Sequence, residues 1–401
     1  MWHESIRSLY IGVFKLETVS HVRIGTGENV RLPTPIDNAQ ARILTFDLTT
    51  GGSKQEYLIY IPASSIHGVL RSAVEEFLRT HLTSKKLGEI KKDQGDQELI
   101  KWLDRQTSPL KDIYLDSMDE FPVYGGVCYP TLEFDACQLP IREDKKRTYF
   151  QKIGRVAKTT TVKDDQKTEK EIPYLCYACQ IFGATGFRGR VRILNAYPSK
   201  SFNEELVLDI ISRNAIDRVT GAAAENRLFD LEAIPPGSVF YFAMIVENAY
   251  ETVKYLKDTQ SDQEFGKGIK DAIKSENDDV TYMDIIKIGM DMLSSGIVGI
   301  GAHNTVGFGY VEISPVIELK LSDNGLTKEF IKKYLLAPES RSNSDSNTSE
   351  ILKKVLDNIK NKKSDSIAVY VNESEKIDLI KRLYPRIIRD LLASQGIIDE
   401  K

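Results

Sequence analysis

Arginines carry the clearest chemical signal in this chain. Arg188, Arg190 and Arg192 alternate, so along a strand all three would lie on one face. A guanidinium is permanently charged and grips phosphate oxygens in a bidentate fork, so such a row suits a polyanion. The alternative is an ordinary solvated strand face. Arg71, on a predicted helix, and Arg31 and Arg42, beside the Pro-rich loop Leu32–Asn38, are second-rank cations of the same kind. Cys176 and Cys179 have the spacing of a metal knuckle, and Cys128 and Cys137 could complete a four-thiolate set for a structural zinc. The alternative there is two buried thiols before Phe182 and two unrelated ones. The five histidines, His3, His21, His67, His81 and His303, are scattered, which argues against a ribonuclease built on two imidazoles. His21 is the best placed of them, just before Gly25.

Two glycine clusters are candidate phosphate cradles. Gly25-Thr26-Gly27 lacks a third glycine at position 30, which is Val. Gly299-Ile300-Gly301 lacks one at Asn304 and leads into a strand. A dinucleotide fold needs strand, glycines and helix in that order, so neither qualifies. Without that context such loops still allow close approach to sugar and phosphate, and successive N–H groups can form an anion nest. For an isolated loop the simpler reading is a tight helix-to-strand connection.

The elements that must position these groups follow from periodicity. Ile11–Val19 alternates as a half-buried strand, and Tyr57–Ile61 is a short buried strand ending at Pro62. Ser64 or Ser65 can cap a helix reaching about His81, with Val69, Leu70, Ala73, Phe77 and Leu78 on one face. Ser84–Lys170 is polar and irregular, and Pro140–Lys170 carries ten Lys/Arg against five Asp/Glu, which reads as a solvated, partly mobile insertion. Arg190–Ala196 and Gly237–Glu247 read as strands, the second buried on both faces. Tyr282–Leu293 has helical spacing and Gly296 sits at its C-terminus. A strand follows the second glycine loop through Leu319. Ser340–Ser349 is a Ser/Asn-rich linker, and Ile351–Ile359 and Lys376–Ala393 are helical in pattern. The order β–β–α–β–β–α–β predicts an α+β fold of ferredoxin-like type, two helices on one face of an antiparallel sheet.

The chain has 401 residues, 41% of them hydrophobic and 28% charged. That is enough apolar material for a core and excludes global disorder. No apolar run approaches the roughly 20 residues that span a bilayer, and Met1–Lys15 lacks a signal-peptide plan, so no membrane partner is expected. Four cysteines in such a length do not make a disulfide framework, which points to a reducing, cytoplasmic compartment. Fifty-four Lys+Arg minus fifty-eight Asp+Glu gives −4, against a surface wholly committed to nucleic acid but compatible with a local basic groove.

Four segments together resemble the RAMP superfamily of CRISPR effector proteins, most of all the repeated backbone subunit of type III (Csm/Cmr-type) complexes. Ile61-Pro62-Ala63-Ser64-Ser65-Ile66-His67-Gly68-Val69-Leu70-Arg71-Ser72 is similar to the family's I-P-G-S-S-L-K-G-x-L-R-S. Gln180–Gly183 followed by Gly189–Ile193 is similar to L-F-G…S-R-V-R-[IF]. Asp217–Ala223, Leu228–Glu232 and Pro235-Pro236-Gly237 are similar to D-R-x-T-G-x-A…L-F-x-x-E-x-[VI]-P-x-G. Gly299–Val311 is similar to the closing loop G-G-x-x-S-x-G-F-G-x-V. The order and spacing over about residues 10–315 make the match specific. His67 stands where the family has Lys, Ala302 replaces a glycine, and Val306 stands where a basic residue is common.

The resemblance implies a ferredoxin-like RAMP palm with an inserted β-hairpin thumb. It divides the chain into a first palm half (1–83), an insertion (84–171), a second palm half with the hairpin at about 199–236 (172–320), and a linker with a helical C-terminal appendage (321–401). It implies guide-RNA contacts from Ser64, Ser65, His67, Arg71, Arg188, Arg190, Arg192, Arg213, Asp217, Arg218, Gly299, Gly301 and Gly307, with Arg31 and Arg42 nearby. In the thumb, Ile216, Val219, Leu228 and Phe229 would form an apolar wedge, and Arg218 and Arg227 its cations. Asp37 matches the loop Asp with which family members cut target RNA using Mg²⁺. Asp37-Asn38 is equally good turn chemistry after Pro35. Some family members carry zinc near the position of the cysteine pair. The expected function is therefore a guide-RNA-binding backbone subunit that cuts complementary target RNA alongside other effector subunits. The alternatives are a non-cleaving scaffold of the same complex, or a stand-alone guide-processing endoribonuclease with His21 or His67 as base.

Overall fold

The computed structural model describes residues 6–25, 39–46, 55–93, 156–163, 166–173, 176–184, 187–199, 207–251, 253, 280–321, 367–370, 377, 379 and 383–398. The fold is α+β, built on antiparallel sheets. By its internal packing the chain falls into two units. The larger comprises 6–70, 192–248 and 290–401, and the smaller 1–5, 71–191 and 249–289.

The larger unit is organised around β1 (Leu9–Thr18). Its neighbours come from far along the chain, β10 (Val239–Glu247) on one side and β11 (Val311–Leu321) on the other, both antiparallel. The full order is β12-β11-β1-β10-β6, with β6 (Val191–Ile193) and β12 (Ile367–Val369) at the edges, and β7 (Tyr197–Pro198) also pairing with β10. Alternation in β1 sends Leu9, Ile11 and Val13 to one face and Tyr10, Phe14 and Leu16 to the other, and all six are buried. A strand buried on both faces reads as a near-continuous apolar run, which is the pattern of Leu9–Leu16 and of Val239–Val246.

The first face is covered by the chain's own C-terminal segment. Ile388, Leu391 and Leu392 of the helix Arg386–Ser394, with Ile397 and Ile398 beyond it, form one core with Leu9, Ile11, Val13, Ala243, Ile245, Ile317 and Leu319. The Tyr384 hydroxyl donates to the Tyr241 carbonyl at 2.8 Å. At the sheet edge, buried Glu318 accepts from Tyr10 at 2.5 Å and from Tyr370 at 2.6 Å. The second hydrogen bond, with burial and the Glu318 charge, pushes the Tyr370 phenol up to about 12. The helix is shorter than the sequence pattern suggests. Pro385, with no N–H to continue a helix through it, marks the start, and Leu379 upstream makes a bridge with Ser199 instead.

Helix α1 (Ala63–Asp93) follows β2 (Arg42–Phe46) and β3 (Gln55–Ile59), which pair as a hairpin. It buries Ile66, Leu70, Ala73, Val74 and Leu78, an i, i+4, i+7 stripe, and extends past the expected end at His81. Helix α3 (Tyr282–Ser294) likewise buries Ile285, Ile286 and Leu293.

In the smaller unit, β4 (Val156–Lys163) and β5 (Gln166–Pro173) form a hairpin where the composition reads as irregular. The β-branched run Thr159-Thr160-Thr161 and the cross-strand charge pair Lys158↔Glu171 account for it. Helix α2 (Tyr177–Phe182) is wholly buried. The linker 340–349 and the predicted helix 351–359 lie outside the described residues.

Candidate nucleic-acid interface

Three segments of the larger unit meet at one end of its sheet. Thr18 pairs with Val311 and Glu17 with Val239, so the exit of β1 lies beside the entries to β10 and β11. The exit carries His21 and Arg23. The entry to β11 carries the glycine loop Gly299–Tyr310. The entry to β10 carries the hairpin of β8 (Asp209–Ile216) and β9 (Ala223–Ala233).

Glycines make the first two segments fit. Gly301 has φ +84°, and a Cβ there would lie 2.3 Å from the Arg23 carbonyl oxygen, so the approach is open to Gly alone. The adjacent Ala302 N–H then donates to that carbonyl at 2.8 Å, and the Gly309 N–H donates to His21 O at 2.8 Å. Asn304 holds the loop by donating to the Gly299 carbonyl at 2.8 Å. Between them the loop makes one 3-10 turn, Asn304–Val306, with His303 before it in the left-handed region.

Phe308, at the loop's inner side, organises the side chains. It forms a small core with Leu231 and Ala233 of β9, flanked by Ile211 and Phe229. The Arg213 guanidinium lies over its ring at 4.6 Å, and His21 and His303 stand against it at 5.6 and 5.8 Å. Arg23 Nη1 is 3.4 Å from His303 Nε2, and His21 Nε2 is 2.9 Å from Asp209 Oδ2. One guanidinium, Arg213, and two imidazoles therefore stand against one ring, and a second guanidinium, Arg23, meets one of those imidazoles. Partial burial and the neighbouring Arg23 and Arg213 charges hold the His303 imidazole below its ordinary value, so it is neutral near pH 7. Burial also lowers the Arg23 guanidinium from its ordinary value, without bringing it near neutrality.

The hairpin projects from this cluster. Its turn is set by Asp217, whose carboxylate accepts from Val219 N–H at 2.8 Å and whose carbonyl accepts from Gly221 N–H at 2.8 Å. Beyond the turn the apolar side chains face solvent: Val219 is 93% exposed, Leu228 73% and Ile216 65%. Arg218 and Arg227 are exposed beside them. Phe229 differs from the expected wedge, since it pairs across the ladder with Arg213 and packs toward Phe308. At the hairpin's base Glu232, 4% exposed, accepts from Arg42 at 2.6 Å and from the Gln40 N–H at 3.0 Å. Arg42 is thereby tied to the hairpin.

The alternating arginines do not form the expected row on one face of a strand. The strand covers only Val191–Ile193. Arg190 precedes it and is 4% exposed, with its guanidinium 4.1 Å over the Tyr282 ring and bonded to that hydroxyl at 3.3 Å. The cause is local. Gly189 packs so closely on Phe182 that a Cβ would lie 2.5 Å from its backbone, and Arg190 N–H donates to the Ile181 carbonyl, which turns the side chain inward. Arg192 is ion-paired with Glu247, and Arg188 is half-buried.

The remaining candidates are dispersed. Ser64 is exposed on the first turn of α1, with Ser65 and His67 half-buried close by. Arg71 is half-buried. Despite that burial, bonds to Glu75 at 2.7 Å and Cys179 Sγ at 3.3 Å raise its guanidinium above the ordinary value, and it also donates to Gly183 O at 3.1 Å. Cys176 caps α2, its sulfur accepting from the Cys179 N–H at 3.5 Å, and both thiols are buried. Cys128, Cys137, Asp37 and Arg31 lie outside the described residues. Among the described residues no three His, Cys, Asp or Glu side chains group as a metal site. No helix among them is long and apolar enough to cross a membrane.

Sequence reading singled out Arg213 and the glycines of the loop but missed Arg23 and Phe308. The signal for Arg23 was its two-residue spacing from His21 in an extended segment, which puts both on one side. The family model described as the RAMP superfamily matches residues 15–312, a span that contains the glycine loop, the hairpin and the exit of β1. No curated protein matches the chain.

Proposed function

Because the chain belongs to the RAMP superfamily, we propose that it is a guide-RNA-binding backbone subunit of a type III CRISPR ribonucleoprotein. The observation that carries this reading is the grouping of the Arg23 and Arg213 guanidiniums with the His21 and His303 imidazoles at the base of a hairpin with an exposed apolar tip. The sheet order β11-β1-β10-β6 supports a ferredoxin-like palm, and the hairpin β8–β9 supports a thumb. Cations at the base would anchor the phosphate backbone, while Val219, Ile216 and Leu228 lie between stacked bases and open the duplex. Sequence recognition would then be left to base pairing, with the protein reading backbone and shape. Copies and sister subunits stacked head to tail would form the complex, since heterologous contacts build open helices.

In this reading Asp37 would hold Mg²⁺, and the metal would supply charge neutralisation on the phosphoryl oxygens of the target RNA. A structural zinc on Cys128, Cys137, Cys176 and Cys179 belongs to the same proposal. The two thiols at the start of α2 suit it, and the Arg71 guanidinium beside Cys179 would stabilise a thiolate.

The test assembles the protein with guide RNA and its sister subunits and adds complementary RNA, with Mg²⁺ or EDTA, for wild type and Asp37→Ala. Evenly spaced cuts that vanish in the variant and in EDTA, with binding retained, are the expected result. An intact complex that binds and never cuts would make the chain a non-cleaving scaffold. Metal-free cutting of precursor guide by the chain alone would make it a processing endonuclease.

A further inference from the structure

Glu232 is a carboxylate 4% exposed at the base of the hairpin, and it is shared between two residues of another segment. Its Oε1 accepts from Arg42 Nη2 at 2.6 Å and its Oε2 from the Gln40 N–H at 3.0 Å. Gln40, itself fully buried, reaches further. Its Oε1 accepts from the Ile24 N–H at 3.0 Å, the neighbouring Ala41 N–H donates to the Ile24 carbonyl at 2.8 Å, and Gln40 bridges Gly25. Gly25 and Gln40 are therefore adjacent, and the intervening chain leaves and returns at one point. That point is set against the hairpin, because β9 continues to Ile234, which bridges Val22 with backbone bonds of 3.0 and 2.8 Å. The hairpin base is thus gripped on two faces. Leu231 and Ala233 turn toward Phe308, and Glu232, between them, turns the other way toward Arg42.

We propose that Glu232 is a positioning residue for target cutting: by holding Gln40 and Arg42 it keeps the loop that carries Asp37 in register with the hairpin. This rests on the reading of the chain as a target-cutting subunit and adds to that same site a residue that acts through others. It also assigns Arg42 to the framework instead of to RNA.

Stability alone does not account for the arrangement. Burying an ion pair costs desolvation that its Coulomb attraction only partly returns, and an apolar pair of similar volume is often as stable or more so. What the pair supplies is direction. A carboxylate engaged through both oxygens, by a backbone N–H and by a guanidinium, fixes where residues 40 and 42 lie along the hairpin, whereas apolar contact tolerates sliding. Three residues separate Asp37 from Gln40, a reach of at most about 11 Å, so the anchor limits where that carboxylate can stand. If the hairpin opens the duplex, the phosphate to be cut has a fixed place relative to the hairpin. A group displaced by about 1 Å from its working place can slow a reaction about a hundredfold.

The experiment uses the full chain assembled with guide RNA and sister subunits, adds complementary RNA and Mg²⁺, and compares wild type with Glu232→Gln, Arg42→Gln and the double variant. Glu232→Gln keeps the volume but turns an amide N–H toward one of the two donors. Arg42→Gln removes the guanidinium and leaves the bond to Gln40. Thermal unfolding checks each fold, and Arg42→Gln carries the test where Glu232→Gln does not fold. Cutting is followed in single turnover at saturating target, and affinity separately in EDTA. Glu232→Gln is expected to cut about tenfold more slowly or worse, and Arg42→Gln to be slowed less, both with affinity within about twofold of wild type. The double variant should cut no more slowly than Glu232→Gln alone, because the two side chains act as one unit. Amide hydrogen exchange of the full chain should show Gln40 and Ala41 exchanging about tenfold faster in Glu232→Gln, a readout that does not depend on cutting. Wild-type cutting in both variants would overturn the positioning role, and so would unchanged exchange at Gln40 and Ala41. An affinity loss in Arg42→Gln as large as its loss of rate would return Arg42 to RNA and overturn the proposal while leaving the cutting function intact. A wild-type complex that binds target and never cuts would overturn both this proposal and the cutting function on which it rests.

Discussion

Replacing Gly301 by Ala tests whether the glycine loop is held by backbone packing or only by its own turn. The comparison is Gly307→Ala, six residues on in the same loop. Both glycines are left-handed, at φ +84° and +88°. An L-residue there costs about 1 kcal/mol, and the loss of unfolded-state freedom on Gly→Ala is the same for both, so these contributions cancel between the variants. The surroundings differ. Nothing lies within 4 Å of a Cβ at 307, whereas at 301 it would stand 2.3 Å from Arg23 O and 3.1 Å from Ile24 Cγ1. An ordinary C···O contact is about 3.3 Å, so loop and strand exit must separate by about 1 Å. That breaks or stretches the Ala302 N–H to Arg23 O bond, worth about 1 kcal/mol, and loosens the packing around Ile24. We expect Gly301→Ala to lose about 2–3 kcal/mol more than Gly307→Ala, which itself loses about 1. Urea unfolding of both variants beside wild type measures this. Equal losses would refute the reasoning, since they would show that the close approach to Arg23 contributes nothing beyond the turn.

Other outcomes follow from the same geometry. Tyr282→Phe removes the hydroxyl that donates to Gln180 at 2.8 Å and accepts from Arg190; unfolding should show a loss of about 1–3 kcal/mol, since buried partners are stranded. Leu391→Ala, at a fully buried position over the sheet, should cost about 2–5 kcal/mol in the same assay. Val219→Asp should leave the midpoint unchanged, the site being 93% exposed, yet weaken binding of guide RNA in gel shift or abolish the regular cut spacing. His303 binds its proton less readily folded than unfolded, so between its folded value and about 6.5 the unfolded chain carries more protons. Stability should therefore fall as pH drops through that window, more in wild type than in His303→Asn, when midpoints are compared between pH 7.5 and 5.5.

The elements read most faithfully from sequence were those buried on both sides. The apolar run Val239–Val246 has no polar face to confuse the period; β1 was found from its alternation as a half-buried strand although both its faces are buried, and α3 from a helical period that leaves Lys287 and Asp291 exposed. The family resemblance located the hairpin tip at Asp217–Gly221, and the exposure of Ile216, Val219 and Leu228 agrees with side chains that no core claims. What failed depended on tertiary contact. Alternation alone placed Arg190 with Arg188 and Arg192, but the Gly189–Phe182 contact and the Tyr282 ring, ninety-two positions away, turn it inward. The Phe308 cluster joins positions 21, 23, 213 and 303, and no local pattern reports such a meeting. Arg23 looked like any strand-end cation until Gly301 brought the loop against its carbonyl. The C-terminal helix was overextended because periodicity continued upstream of Pro385, where the backbone pairs instead with Ser199.

The covering of the central sheet by residues 384–398 has a consequence for biosynthesis. The strand Leu9–Thr18 waits for partners some 230 and 300 residues later, and one of its faces stays bare until the helix at 386–394 emerges. Contacts so distant in sequence form slowly, and the nascent chain meanwhile displays Leu9, Ile11, Val13, Ala243 and Ile317 to the ribosome's surroundings. Holdase chaperones would find their natural substrate in that interval, and a polypeptide halted before Pro385 would be sticky rather than merely shorter.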